Sequence, residues 1–170
     1  RQRQMCIRDR TYTYNAQGLV ETIDGPRTDV SDVTAYTYDT NGDLLTTTNA
    51  LGHVTEVLSR DGRGLPLQIR DANNVVTELS YDARGRLLFS SVLHATGDAT
   101  TTYEYDDIGQ VTRITQPNGA FVAYEYDGAR RLTAISNNIG ERTEFTLDTA
   151  GNTTAEIVRD STGSIVRSAT

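Results

Sequence analysis

Two histidines, His53 and His94, are the side chains in this 170-residue sequence best suited to general-base work or metal ligation. They stand at non-equivalent places in the pattern described below, and no Ser or Cys motif accompanies either. Both read as solvated strand or turn residues. Asp39-Thr40-Asn41-Gly42-Asp43 looks like part of a calcium loop, but the distal bidentate Glu and the remaining ligands are missing. Asp106-Asp107 offers two carboxylates, yet neighbours on a strand point to opposite faces, which argues against an acid/base pair. No catalytic, cofactor-binding or metal-binding set is expected, and no cofactor is implied.

The same residue types take on a different meaning once their spacing is read along the whole chain. Tyr81-Asp82-Ala83-Arg84-Gly85-Arg86-Leu87 is the fullest copy of a segment that returns throughout. Its relatives begin at Tyr14 (with Asn15 and Gly18), Tyr38 (Asp39, Gly42), Arg60 (Asp61, Gly64), Tyr105 (Asp106, Gly109), Tyr126 (Asp127, with Arg130 in the Gly column) and Leu147 (Asp148, Gly151). The Asp-equivalent positions 15, 39, 61, 82, 106, 127 and 148 lie 21–24 residues apart. Internal periodicity of that length marks a repeat architecture. Residues 11–170 therefore read as about seven repeats. A chemical site needs one place, and this chain offers the same place seven times, so the motif reads as structural.

A second turn falls between these, at Asn49-Ala50-Leu51-Gly52, Asp71-Ala72-Asn73-Asn74, Thr96-Gly97-Asp98, Gln116-Pro117-Asn118-Gly119, Asn137-Asn138-Ile139-Gly140 and Asp160-Ser161-Thr162-Gly163. A looser version stands at Asp24-Gly25-Pro26. Two turns per repeat imply two strands per repeat. Thr34-Ala35-Tyr36-Thr37-Tyr38 and Thr101-Thr102-Tyr103-Glu104-Tyr105 are β-branched and aromatic with period two. No long 3.6-residue stripe exists, so essentially no helix is expected. The Asp side chain predicts an Asx-turn and the Gly a left-handed backbone. Arg130 predicts a different turn type in the sixth repeat. Pro66 predicts an edge position or a bulge.

In four repeats a second Tyr sits two residues before the first: Tyr12/Tyr14, Tyr36/Tyr38, Tyr103/Tyr105 and Tyr124/Tyr126. Such pairs share a strand face and predict a tyrosine ladder from repeat to repeat. The aliphatic pairs Val20/Ile23, Val111/Ile114 and Leu132/Ile135 break strict alternation. Either a bulge intervenes or the two residues face opposite ways.

Composition limits the partners. Net charge is −7 and every basic residue is Arg, so an acidic surface repels phosphate backbones and nucleic acid is not expected. The longest apolar run, Ala120–Tyr124, is far too short to span a membrane. Residues 1–10 hold the sole Cys and the sole Met. They resemble a translated sequencing adapter and are expected to be a non-native or disordered segment, set apart from fold reasoning.

Tyr-Asp-x-x-Gly-Arg-Leu in units of this length, with a Pro-Asn-Gly turn between, resembles the RHS/YD repeat family. Tyr81–Leu87 matches the motif outright; Tyr38–Leu44, Tyr105–Val111 and Tyr126–Leu132 match with substitutions; Gln116–Gly119 matches the second turn. The resemblance implies an all-β fold, a repetitive antiparallel hairpin array forming part of a spiralling β-sheet shell. It implies as partners the remainder of that shell and an enclosed C-terminal toxin domain, in a secreted or cell-surface protein. The family's autoproteolytic core motif, rich in Asp-Pro, has no counterpart: Pro26, Pro66 and Pro117 do not follow Asp. Neither protease nor toxin activity carries over, and an enzyme is not expected. The alternative role is an adhesion or carbohydrate-binding repeat module using the tyrosine face.

Overall fold

The five-residue turn is the unit from which this fold is built. In the computed structural model, which describes residues 10–27 and 29–169, Asp127 shows its geometry. Its N–H donates to the Arg131 carbonyl at 2.9 Å, and the Arg130 N–H returns to the Asp127 carbonyl at 2.9 Å. The same carboxylate Oδ1 accepts the N–H groups of Ala129 and Arg131 at 2.8 and 2.9 Å. Four backbone and side-chain bonds thus reverse the chain in five residues. The reversal needs a left-handed residue in fourth place, which Gly adopts freely.

The backbone pairing recurs at Asn15, Asp39, Asn49, Asp61, Asp71, Asp82, Asp106, Gln116, Asn137, Asp148 and Asp160. In five of the seven repeats the two turns, distinct in sequence, are therefore one structure; among the described residues the second turns of the first and fourth repeats, at 24–26 and 94–98, do not show the full pairing. Arg130, expected to force another turn type, sits in it at φ +67°, as does Asn74 at +63°. The surrounding hydrogen bonds hold these residues in the left-handed region despite the Cβ clash. Arg130→Gly is accordingly expected to stabilise the chain by roughly 0.5–1 kcal/mol, relief of the Cβ clash exceeding the added chain entropy. Thermal melts of the two chains measure it.

Two compact units result, Arg1–Glu78 and Leu79–Thr170. The first holds β1 (Thr11–Tyr14), β2 (Val20–Asp24), β3 (Thr34–Tyr38), β4 (Leu44–Thr48), β5 (Val54–Arg60), β6 (Pro66–Arg70) and the start of β7 (Val76–Tyr81). The second holds the end of β7, then β8 (Leu87–Val92), β9 (Ala99–Tyr105), β10 (Val111–Thr115), β11 (Phe121–Tyr126), β12 (Leu132–Asn137), β13 (Arg142–Leu147), β14 (Thr153–Arg159) and β15 (Ile165–Ala169). In the first unit β1 to β7 pair antiparallel in chain order, and in the second β8 to β15 do the same. The fold is all-β, an antiparallel hairpin array, with no helix among the described residues. None is therefore long and apolar enough to cross a membrane. The expected non-native segment at 1–10 lies outside the described residues apart from Arg10.

Bulges settle the aliphatic spacing. Tyr126 pairs Leu132 while Glu125 pairs Ala134, leaving Thr133 as the extra residue. Leu132 and Ile135 consequently lie on one face with Tyr126 and Tyr124. The same shift places Val20 and Ile23 opposite Tyr14 and Tyr12, and Val111 and Ile114 opposite Tyr105 and Tyr103. Pro66, opposite Arg60, falls beside such a shift, where a missing N–H breaks no regular ladder.

Each unit has one tyrosine–aliphatic face and one polar face. In the second unit Tyr124, Ile135, Thr143 and Val158 form a row across β11–β14, and Glu125, Ala134, Glu144 and Ile157 form its counterpart on the other side. The tyrosines do not meet one another directly as a cross-strand ladder requires. Every repeat contributes two strands, so a Tyr is flanked by the aliphatic strand instead. Among the described residues Ala134, 1% exposed, is the buried apolar residue and Ser91, 5% exposed, the buried polar one. Among the described residues no side chain larger than these is fully enclosed, so these strands show no sandwich core.

Candidate functional site

The rim of Tyr-Asp turns carries the densest set of long-range side-chain bonds, and it connects one repeat to the next. The Tyr38 hydroxyl donates to the Val20 carbonyl, Tyr105 to Leu87 and Tyr126 to Val111, each at 2.8 Å. Every acceptor lies two residues after the turn's left-handed position in the preceding repeat. A phenol at a strand end is long enough to reach the first residue of the paired strand, which belongs to the preceding repeat. Burial, then the neighbouring Tyr124 and Asp106, push the Tyr126 phenol above its ordinary value, so it stays a donor near neutral pH.

Arg60 occupies the Tyr column of the third repeat, and its guanidinium donates to the Leu44 carbonyl, two residues after Gly42. A second nitrogen reaches the Gly64 carbonyl at 2.9 Å. The substitution thus keeps the inter-repeat bond while replacing the donor. Tyr126→Phe is expected to lower stability by roughly 1 kcal/mol through the lost donor, whereas Arg60→Tyr is expected to be near neutral. Denaturant titration of both variants checks the contrast.

The Arg that follows the left-handed residue forms a second link. Arg86 Nε donates to its own Asp82 at 2.6 Å, and another nitrogen reaches the Asp106 carbonyl of the next repeat at 3.2 Å. Its guanidinium carbon lies 4.6 Å from the Tyr105 ring centre. Arg131 repeats the arrangement, with Asp127 at 2.7 Å and the Asp148 carbonyl at 2.8 Å. Arg84 adds a bond to the Asp107 carbonyl and Gln110 one to the Arg130 carbonyl. The backbone N–H of Arg131, then its guanidinium, hold the Asp127 carboxyl below the usual range. The Asp82 carboxyl is lowered in the same order by Arg86. Asp148 is lowered first by the Asn152 side chain, then by its backbone.

Expected motif residues take these places: Asp39, Asp61, Asp82, Asp106, Asp127 and Asp148 close turns, and Gly18, Gly42, Gly64, Gly85, Gly109 and Gly151 supply positive φ. Asp106 and Asp107 follow the end of β9 and lie in a turn, not side by side on a strand. His53 and His94 are turn residues as well. The His53 N–H donates to Asn49 and the His94 N–H to Asp98. Among the described residues no group of three or more His, Cys, Asp or Glu could hold a metal ion. The linking role of Arg60, Arg86 and Arg131 escaped the sequence reading. Its signal was present in the columns, since Arg86 and Arg131 both stand one place after the left-handed residue.

A wall of stacked hairpins, linked turn to turn and lacking a core, is the class of protein these features define. The chain belongs to the teneurin YD-shell family, whose model matches residues 4–154. Its fold resembles a crystal structure of TcdB2-TccC3 without the hypervariable C-terminal region, at TM-score 0.71 and 19% identity over 89% of this chain and 9% of that one. A further TcdB2-TccC3 crystal structure matches at TM-score 0.60 and 18% identity, covering 92% of this chain and 12% of that one. The Tc holotoxin pore of Photorhabdus luminescens matches at TM-score 0.59 and 18% identity, covering 92% and 11%. The chain thus spans about a tenth of the length of these proteins. A search of curated proteins gives no significant match.

Proposed function

We propose that this chain is a section of wall in an RHS/YD-repeat β-shell that encloses a C-terminal toxin or effector within a larger secreted or cell-surface protein. Its repeats, residues 11–170, spiral with their neighbours to form that wall. The role is structural rather than catalytic. The carrying observation is a turn every 10–12 residues along most of the chain, linked repeat to repeat, with Ala134 as the buried apolar residue. A wall around a hollow needs strong lateral links and little core, and repeats of this kind bury surface only against neighbours. The partners are the rest of the shell and its enclosed domain.

The test is the full reading frame around this segment, expressed as one protein and treated with a protease. The expected result is that the domain C-terminal to the repeats resists digestion while the repeats are intact and is digested once they are denatured. A C-terminal region cut equally fast in both states, or a surface anchor in its place, overturns the container reading. Binding on a glycan array would then support the adhesion or carbohydrate-binding alternative.

A further inference from the structure

On the polar face of the second unit, four side chains from three strands form one connected ladder. Arg142 of β13 makes a two-pronged bond to Glu125 of β11 at 2.5 and 2.8 Å. Its Nε reaches Glu144 at 3.0 Å, and Glu144 accepts Arg159 of β14 at 3.2 Å. Charges thus alternate Glu–Arg–Glu–Arg across β11–β14. The strand passed over, β12, contributes Ala134, which pairs with both Glu125 and Glu144 in the register. A small side chain there leaves room for the guanidinium bridge, and Ala134 becomes the buried apolar residue of the sheet.

Other charges on this face are Glu104 of β9 and Arg113 of β10, 4.0 Å apart. Arg113 lies over the Phe121 ring at 3.6 Å. Register places Arg167, the cation of β15, on the opposite face, where it pairs with Glu156. The ladder is therefore self-contained. Hydrogen bonds from Arg142 lower the Glu125 carboxyl, and Arg142 then Arg159 lower Glu144. Isolated surface pairs contribute little, but a two-pronged Arg in a network is the arrangement that does contribute.

We propose that the Glu125–Arg142–Glu144–Arg159 ladder is an ionic-strength-sensitive clamp that governs local opening of β11–β14. In a sheet without a core, cross-strand side chains replace buried packing as the lateral restraint. Salt screens exposed charges over a few ångströms at molar concentration but leaves the turn hydrogen bonds of Asp127, Asn137 and Asp148 in place. The clamp can thus loosen while the hairpins persist.

Hydrogen exchange of the 170-residue chain at pH 7 in 0.05 M and 1 M NaCl tests this. Amides of β11–β14 are expected to exchange roughly tenfold faster at high salt, the combined effect of several linked pairs. Those of β8, tied to β9 through the uncharged Ser91–Thr100 contact at 2.6 Å, are expected to change far less. Arg142→Met is expected to exchange at the high-salt rate in both buffers, and Arg142→Lys to restore part of the salt response. Equal salt ratios in β8 and β11–β14, or a full salt response in Arg142→Met, overturn the proposal. If Arg142→Met fails to fold, the unaltered chain and Glu125→Gln, expected to show a reduced response, decide it alone.

Discussion

Gly140→Ala is expected to destabilise the chain by about 2–4 kcal/mol, against about 1–2 kcal/mol for Gly18→Ala. Both glycines hold the fourth place of the turn, at φ +86° and +79°, where a Cβ crowds the backbone. That cost is common to the two positions. They differ in their surroundings. A Cβ on Gly18 meets nothing within 4 Å, whereas one on Gly140 lies 3.3 Å from Ser161 Cα and 3.4 Å from the Ser161 carbonyl oxygen. Ser161 belongs to the Asp160 turn, next but one along the chain. The obstacle is backbone, which cannot rotate away like a side chain. Denaturant melts of both variants measure the excess, which is the contribution of close turn-to-turn packing. Equal losses would mean that the two turns stand apart in solution.

Acid is expected to unfold the chain below about pH 4, the loss beginning near pH 5, while stability stays level from about pH 5 to neutrality. The carboxyls of Asp82, Asp127, Asp148, Asp160, Glu125 and Glu144 are all lowered in the folded state. Hydrogen bonds from backbone N–H groups and from Arg, Asn or Thr side chains cause it. A lowered folded value means the stabilisation is fully present above the unfolded values, about 3.9 for Asp and 4.3 for Glu. It is lost as pH falls through the folded values. Circular dichroism melts between pH 7 and pH 2 follow the loss. Asp127→Asn separates the contributions, because an amide oxygen still accepts the two turn N–H groups, as Asn15 and Asn137 do at their own turns. The variant is expected to be less stable at pH 7, having lost its ion pair with Arg131, and to lose less on acidification. A melting temperature unchanged down to pH 2 would contradict the account.

Most of the architecture was legible because it is local. An Asx-turn involves residues two and four apart, a left-handed Gly is a property of one residue, and strand alternation has period two. Those rules place every motif Asp and Gly without reference to distant chain. The repeat period then fixes the order of strands, since short turns join only neighbours. Arg130 shows the limit of local reasoning. Its Cβ argues against the left-handed turn, but the Asp127 carboxylate and the closing backbone bonds outweigh that cost.

Three features had to wait for the tertiary structure, each for a physical reason. The bulge at Thr133 is a two-against-one count between strands, and a single strand carries no record of it. The acceptors of Tyr38, Tyr105 and Tyr126 lie 15–18 residues away, where reach and register decide the partner. Arg60 breaks the motif as a letter but preserves the bond, which only the position of the Leu44 carbonyl reveals. The sequence by itself determined a repeated β-hairpin chain, with no helix among the described residues. The tertiary structure decided how those hairpins hold one another, through phenols and guanidinium groups that span from one repeat to the next in place of a packed core.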